Sequence, residues 1–373
     1  MNNIFNSLKN FYDEWYPKVV IIGVYLLIIA AFLYSPRVFE YFSNEQSINV
    51  YAFTEFVSSE AVKEFEHETG IKVRIQYFEF NEELYAKFKI NHGEGYDLIT
   101  PSDYMVEMMR KDGMLQEIDH SKLSNIKELD SRLLGKYFDP ENKYSIPICW
   151  LVYGIVYDRD IVGPNFKQAN LGMLFKDPWD LVISDVVNKH YRVCMAQDPR
   201  DMVYLAAIYL YGRTENLTDV ELAQIQDLLS KQKGWVESYT DAGTPYFLTG
   251  GIASVALISN HRMKKLQEIS NKFIFQIPKD GSIMVIENIA IPVKTKKSDL
   301  VHKFIDFLIS KKIAMLHANL YGTNSSNISV FNEKVAENSN FFPKDTMFDK
   351  LHLINNEISL DRVDSIWLGV RFS

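Results

Sequence analysis

Apolar residues fall into short continuous runs separated by segments with a three-to-four-residue period, the signature of strands alternating with amphipathic helices. The run INVYAF opens the series, and VYAFTEF (Val50 to Phe56) sets one carboxylate, Glu55, between two phenyl rings where the run stops. Ser58 and Ser59 can cap the next segment, EAVKEFEHETG, which predicts a helix from about Glu60 to Glu68 ending at Gly70. IKVRIQYFEF (Ile71 to Phe80) alternates as a strand does, NEELYAKFKI has helical period, and HGEG breaks it. YDLITP (Tyr96 to Pro101) is a short strand, after which Ser102 caps the helix carrying VEMMRKDG. Strand, helix, strand, helix, strand is the βαβ pattern of a mostly parallel sheet. Open sheets of this class bind ligands just past strand carboxyl ends, so the Glu55 turn is a first candidate.

The later chain repeats the pattern with two unusual features. KYSIPICWLVYGIVYD (Lys143 to Asp158) and IENIAIPVKT (Ile286 to Thr295) are extended runs that suggest the chain leaves one lobe, builds another and returns. Between them lie VCMAQD (Val193 to Asp198), the helix MVYLAAIYLYG, a helix around Val220 to Lys233, and SVALIS (Ser254 to Ser259). The helix DLVHKFIDFLIS follows the second run. At 373 residues the chain is long enough for two domains.

The amino terminus departs from all of this. Val19 to Pro36 contains no charge over 18 positions, the lower edge of a membrane-spanning helix, with Lys18 and Arg37 at its flanks. No small-residue cleavage site follows, which favours an uncleaved transmembrane anchor over a cleaved signal. Lys9 and Lys18 before the span place the rest of the chain outside the cytoplasm. Val38 to Ser47 is a polar connector.

The net charge of -8 disfavours nucleic acid, which needs a basic face. Cys149 and Cys194 sit in apolar surroundings without a ligand-spaced neighbour and are expected as buried thiols, a bridge between them staying open. The eight histidines are scattered singly. No nucleotide, metalloprotease or hydrolase motif occurs, so neither a metal nor a cofactor is expected. What recurs is a carboxylate or hydroxyl just past an apolar run: Glu55, then Ser102, Asp103 and Tyr104, then Asp198 and Asp201. Each could be only a cap or a solvated end. Glu287 differs, because a charge inside MVIENIAIP costs several kcal/mol without a partner, either a protein cation or a bound one.

YAFTEFV with EFEHETGIKV, FNEELYAKF, YDLITPSDYMVEMMRKDGMLQEID, FDPENKYSIPICW and IAIPVKTKK, in that order between Ile48 and Gly322, resemble the spermidine/putrescine-binding proteins of bacterial polyamine ABC transporters. The resemblance implies an α/β fold of the periplasmic-binding-protein type II kind, with two lobes on a two-segment hinge, here preceded by the transmembrane helix. It divides the chain into 1–47 as anchor and connector, 48–151 with 287–325 as one lobe, and 152–286 with 326–373 as the other. The family's ligand positions fall on Phe53, Thr54, Glu55 and Phe56, on Ser102 and Tyr104, on Asp198 and Asp201, on Glu287 and on Tyr321. Phe53 stands where the family commonly has Trp and Phe56 where it has Tyr. Two further tryptophans are missing, at Ile258 or Ser259 and at Val285.

The implied partners are a polyamine and the ABC permease subunits of the inner membrane, with the protein acting as a monomer in the periplasm. Carboxylates would hold the ammonium groups and aromatic rings the methylenes. Carboxylates facing one empty cleft should have raised pKa values, and a polycation drawn to both lobes should close the hinge. A tethered sensor of a cationic small molecule is the alternative. An enzyme using Asp198 and Asp201 as acid and base is disfavoured by the lack of a nucleophile or metal constellation.

Overall fold

The two long apolar runs become the strands around which everything else is arranged. The computed structural model describes residues 15–29, 46–162, 168–177, 192–337, 343 and 345–373. Among these, the strands are β1 (Ser47–Phe53), β2 (Lys72–Phe78), β3 (Leu98–Ile99), β4 (Ser145–Asp158), β5 (Val193–Met195), β6 (Val236–Tyr239), β7 (Val255–Ser259), β8 (Phe273–Gln276), β9 (Ser282–Ala290), β10 (Asn324–Ser325) and β11 (Leu351–Leu353). They form one sheet in the order β2-β1-β3-β9-β4-β7-β5-β6, with β8 and β10 on β4 and β11 on β9.

β4 carries the sheet from one half to the other. It pairs with β9 from Ser145↔Ala290 to Val152↔Met284, then with β7 from Tyr153↔Ser259 to Tyr157↔Val255 and with β8 from Ile155 to Asp158. Every residue of β4 except Tyr153 is buried. A strand covered on both faces reads as a continuous apolar run and not as an alternation, which is why its sequence stood out. Gly154 interrupts that run because a Cβ there would sit 2.3 Å from the Phe275 ring on β8.

The sheet is mixed, which corrects the expectation of a mostly parallel one. β1–β3, β5–β6, β5–β7 and β9–β11 are parallel, whereas β3–β9 and every pairing of β4 are antiparallel. The βαβ reading holds within each half. The crossing strands, opposed to each other, insert reversed neighbours at the centre.

Helices cover the sheet on separate cores. Ile48, Val50, Phe65, Leu98, Ile289 and Phe304 pack together on the β1 side, with the Phe65 and Phe304 rings 4.7 Å apart. Val193, Val203, Leu205, Leu257 and Trp367 form the core on the β5 side. A third cluster joins Tyr51, Phe88, Trp150, Ala256 and Phe273. Each such fully buried side chain contributes roughly 1.5–3 kcal/mol. Ser58 caps the Ser59–Thr69 helix through the Ala61 amide at 3.1 Å, and Gly70 ends it at φ 71°. Cys149 and Cys194 are buried free thiols.

Ile48–Ser373 is one compact unit, separate from the segment before it. In that segment residues 15–29 are helical. Among the described residues no helix is long and apolar enough to cross a membrane. The expected span, Val19 to Pro36, runs beyond residue 29 outside the described residues, as does the connector as far as residue 45.

Candidate functional site

A cleft of about 300 Å³ opens where the two halves of the sheet meet at β4 and β9. Its lining includes Phe53, Thr54, Glu55, Ser102, Tyr104, Asp198, Asp201 and Glu287. Thus eight of the ten expected positions, distant in sequence, come to one space. Phe56 and Tyr321 do not reach it. They line a separate void of about 10 Å³, which shares only Glu55 with the cleft. Phe56 is buried against Phe53, ring centroids 5.2 Å apart.

Asp198 and Asp201 come from the start of the Pro199–Tyr211 helix. Pro199 fixes the first turn, and Asp198 accepts the Arg200 amide at 2.8 Å as its N-cap. Asp201, one turn in, accepts the Tyr153 hydroxyl from β4. Burial pushes the Asp198 carboxyl up to about 6, with Glu82 adding to the effect. Burial raises Asp201 further, and the neighbouring Asp198 charge adds to that. The expected rise is therefore present, but loss of hydration is its first cause and mutual repulsion the second.

Glu287 sits mid-strand on β9, paired across to Cys149 on β4 and bridged to Ser102. It is buried, and the Ser102 hydroxyl lies 3.0 Å from both its oxygens. Asn81 donates to the same hydroxyl at 2.8 Å. Ser102 does stand at the N-cap of the Asp103–Lys111 helix, but its side chain makes no capping bond, which corrects the reading of it as a cap. Burial pushes Glu287 up to about 8, which favours its protonated form at neutral pH. The partner expected for this charge is a neutral hydroxyl and not a protein cation. Asp103, next in sequence, is wholly buried and ties the helix to β9 by accepting the Ile286 amide at 3.1 Å.

Glu55 is held differently. Its backbone is left-handed at φ 74°, rare for a glutamate, and places the side chain at the cleft edge. There it meets two cations of the Asn260–Ile269 helix: Lys265 donates to Oε1, and the Arg262 guanidinium lies 3.8 Å from Oε2. Among the described residues Asp198, Asp201 and Glu287 have no such ion pair.

Sequence reasoning missed Asp241, Tyr153, Asn81 and Arg262, all on the cleft wall. Asp241 obeys the rule used for the others, a carboxylate just past a strand, but the short strand Val236–Tyr239 before it went unrecognised. Tyr153 and Asn81 carry no local signal, since each is defined by what it faces. Of the candidates for one absent tryptophan, Ser259 lines the cleft while Ile258 lies in the core. Val285, at the other, also lines it.

A family model described as bacterial extracellular solute-binding protein matches residues 60–343. The chain belongs to this family. This solute-binding protein is 31% identical over 314 residues to spermidine/putrescine-binding periplasmic protein 1 of Haemophilus influenzae, covering 82% of this chain and 83% of that one. It is 30% identical over 308 residues to the spermidine/putrescine-binding periplasmic protein of Escherichia coli, covering 80% and 84%. The TpPotD lipoprotein of Treponema pallidum superposes with a TM-score of 0.75 at 21% identity, over 88% of this chain and all of that one. The fold is that of the type II periplasmic binding proteins, as expected. Solute-binding proteins are receptors and not enzymes, so Asp198 and Asp201 have no acid–base role to fill.

Proposed function

We propose that this chain is the substrate-binding receptor of an ABC importer and captures a polyamine of the putrescine/spermidine class in the cleft between its two halves. The observation that carries this is a cleft where Asp198 and Asp201, from the start of one helix, meet Glu287 of β9, with no ion pair to any of the three among the described residues. Buried carboxylates in that state are costly once ionised, and an entering ammonium group is the counter-ion they lack. Phe53, Tyr104 and Tyr153 offer rings for methylenes, and Ser102 and Thr54 offer neutral acceptors. The polyamine-binding names of the relatives point the same way.

The lobes would be residues 48–151 with 287–325, and 152–286 with 326–373, hinged on β4 and β9. Binding would close them and present the closed form, as a monomer, to permease subunits in the inner membrane. Phe56 and Tyr321 would then act behind the Glu55 turn and not as direct ligand contacts. The exposed apolar side chains Val19, Leu26, Leu27 and Ile28 support membrane attachment on the periplasmic side, which extraction of membranes with alkaline carbonate would test. Calorimetric titration with putrescine, spermidine and neutral amino acids tests the central claim. Heat of binding with the amines alone is expected, and binding of neutral amino acids alone would end it.

A further inference from the structure

Arg200 stands between Asp198 and Asp201 at the start of the Pro199–Tyr211 helix, and it is a buried cation, 2% exposed, without an ion pair among the described residues. Its Nη1 donates to the Asn355 carbonyl at 3.1 Å, while Nε and Nη2 find no hydrogen-bond partner among the described residues. What the guanidinium does meet is a ring, 4.9 Å from the centroid of Tyr104 on the helix after β3. Tyr104 lines the cleft and Arg200 does not. The same tyrosine is held at two further points, its hydroxyl donating to Glu82 at 3.0 Å and its carbonyl accepting Asn356 Nδ2 at 2.8 Å. A lone buried guanidinium is costly, so this one calls for a reason beyond packing. Its charge acts on Asp198, Asp201 and Asp103, in each case opposing the rise that burial causes. The other acids around the pair work the opposite way: Glu82 and Asp241 raise Asp198, and Asp241 raises Asp201. Tyr153 donates to Asp201, and Tyr104 lies within reach of the Asp198 charge. Arg262, also on this wall, lies against Glu55 and acts on Asp241.

We propose that Arg200 is a positioning residue of the ligand site, which from behind Tyr104 fixes that ring and keeps Asp198 and Asp201 available as anions to an entering ammonium group, an assignment resting on the polyamine reading above. A carboxylate that takes the ligand directly must stay out of an ion pair, or the ammonium has to displace the protein's own cation. A guanidinium set back from the cleft against an aromatic face meets that condition. Its field favours the ionised aspartates, and the ring takes its charge in place of a carboxylate. Loss of that charge lets both carboxyls rise further, so that more of them are protonated at pH 6 and the ligand must displace those protons. Relief of repulsion between Arg200 and an ammonium group is the same at every pH at which both are charged. The change of affinity with pH therefore isolates what Arg200 does to the aspartates.

Calorimetric titration of the full chain with putrescine and with spermidine, at pH 6 and at pH 8.5, tests this on the wild type, Arg200→Gln and Arg200→Lys. The ratio of the dissociation constant at pH 6 to that at pH 8.5 should be about fivefold or more larger in Arg200→Gln than in the wild type, the consequence of a shift of about one pKa unit. Arg200→Lys keeps the charge and should keep the wild-type ratio. Circular dichroism melting at both pH values checks that each variant folds. Should Arg200→Gln fail to fold, Arg200→Met replaces it with the same expected rise. Failure of both beside a folded Arg200→Lys would make the charge a requirement of the fold and overturn the assignment. An unchanged ratio in the neutral variant, or an equal rise in Arg200→Lys, also overturns it while leaving a polyamine receptor standing. If neither amine binds the wild type, the polyamine reading itself falls, and the role of Arg200 with it.

Discussion

Glu55 and Glu287 are glutamates on the wall of one cleft, and the protein treats them in opposite ways. Glu55 lies at a strand end, partly exposed, with two basic side chains brought to it. Glu287 lies within a strand, buried, with a hydroxyl as its neighbour and its carboxyl pushed up to about 8. The first charge is compensated by protein cations; the second has only a hydroxyl beside it, which is why we propose a bound ammonium as its partner. Proximity to a cleft thus says little about a carboxylate's role until the cations around it are counted.

The contrast predicts a graded series of effects. Glu287→Gln should be largest, because it removes a buried acceptor that becomes charged only with ligand present. We expect loss of roughly 3 kcal/mol or more of polyamine affinity, on the scale of a truncated buried charge pair. The empty protein's melting temperature should barely move, since Gln resembles the protonated glutamic acid already there. Unchanged affinity by titration calorimetry would show that Glu287 is no ligand contact.

Asp198→Asn should come next. Asn retains N-capping, while Asp201 remains to take part of the charge, so a loss of about 1–2 kcal/mol is expected for one charge-assisted hydrogen bond. A loss as large as that of Glu287→Gln would mean the aspartate pair does not share its load.

The pH dependence is smaller but diagnostic. Glu287 and Asp198 have folded-state values of about 8 and about 6, above their ordinary carboxylate values. Their contribution to stability is complete below the ordinary carboxylate range and is lost as pH rises through those values. The empty protein should therefore melt at lower temperature at pH 8.5 than at pH 6. Amines stay charged throughout this window, so binding should release protons and tighten with rising pH. Affinity flat from pH 6 to 8.5, in buffers of different ionisation enthalpy, would contradict the protonated empty cleft.

Glu55→Gln should be smallest, about 0.2–1 kcal/mol, the range of exposed ion pairs. An effect matching that of Glu287→Gln would erase the distinction between the two glutamates and argue that Lys265 yields its place to ligand.

Much of this was legible without coordinates. The run from Lys143 to Asp158 announced β4 because burial on both faces removes the polar alternation. Glu287 stood out because a charge in such a run demands explanation. Asp198 and Asp201 stood out as carboxylates past a strand end, a position that a helix cap explains as well, and the family resemblance gave them their expected ligand role. Illegible were the antiparallel centre of the sheet, Ser102's turn away from capping, and the cations on Glu55. Glu55 and Lys265 are 210 residues apart, and neither neighbourhood mentions the other.

The sequence by itself determined the longer strands, several helix starts and four of the acids on the cleft wall, since these depend on periodicity and on chemistry within a few residues. Only the tertiary structure decided which acids remain without a counter-charge. A side chain's electrostatic state depends on hydration and on charges within a few ångströms, and in this fold those neighbours come from distant parts of the chain.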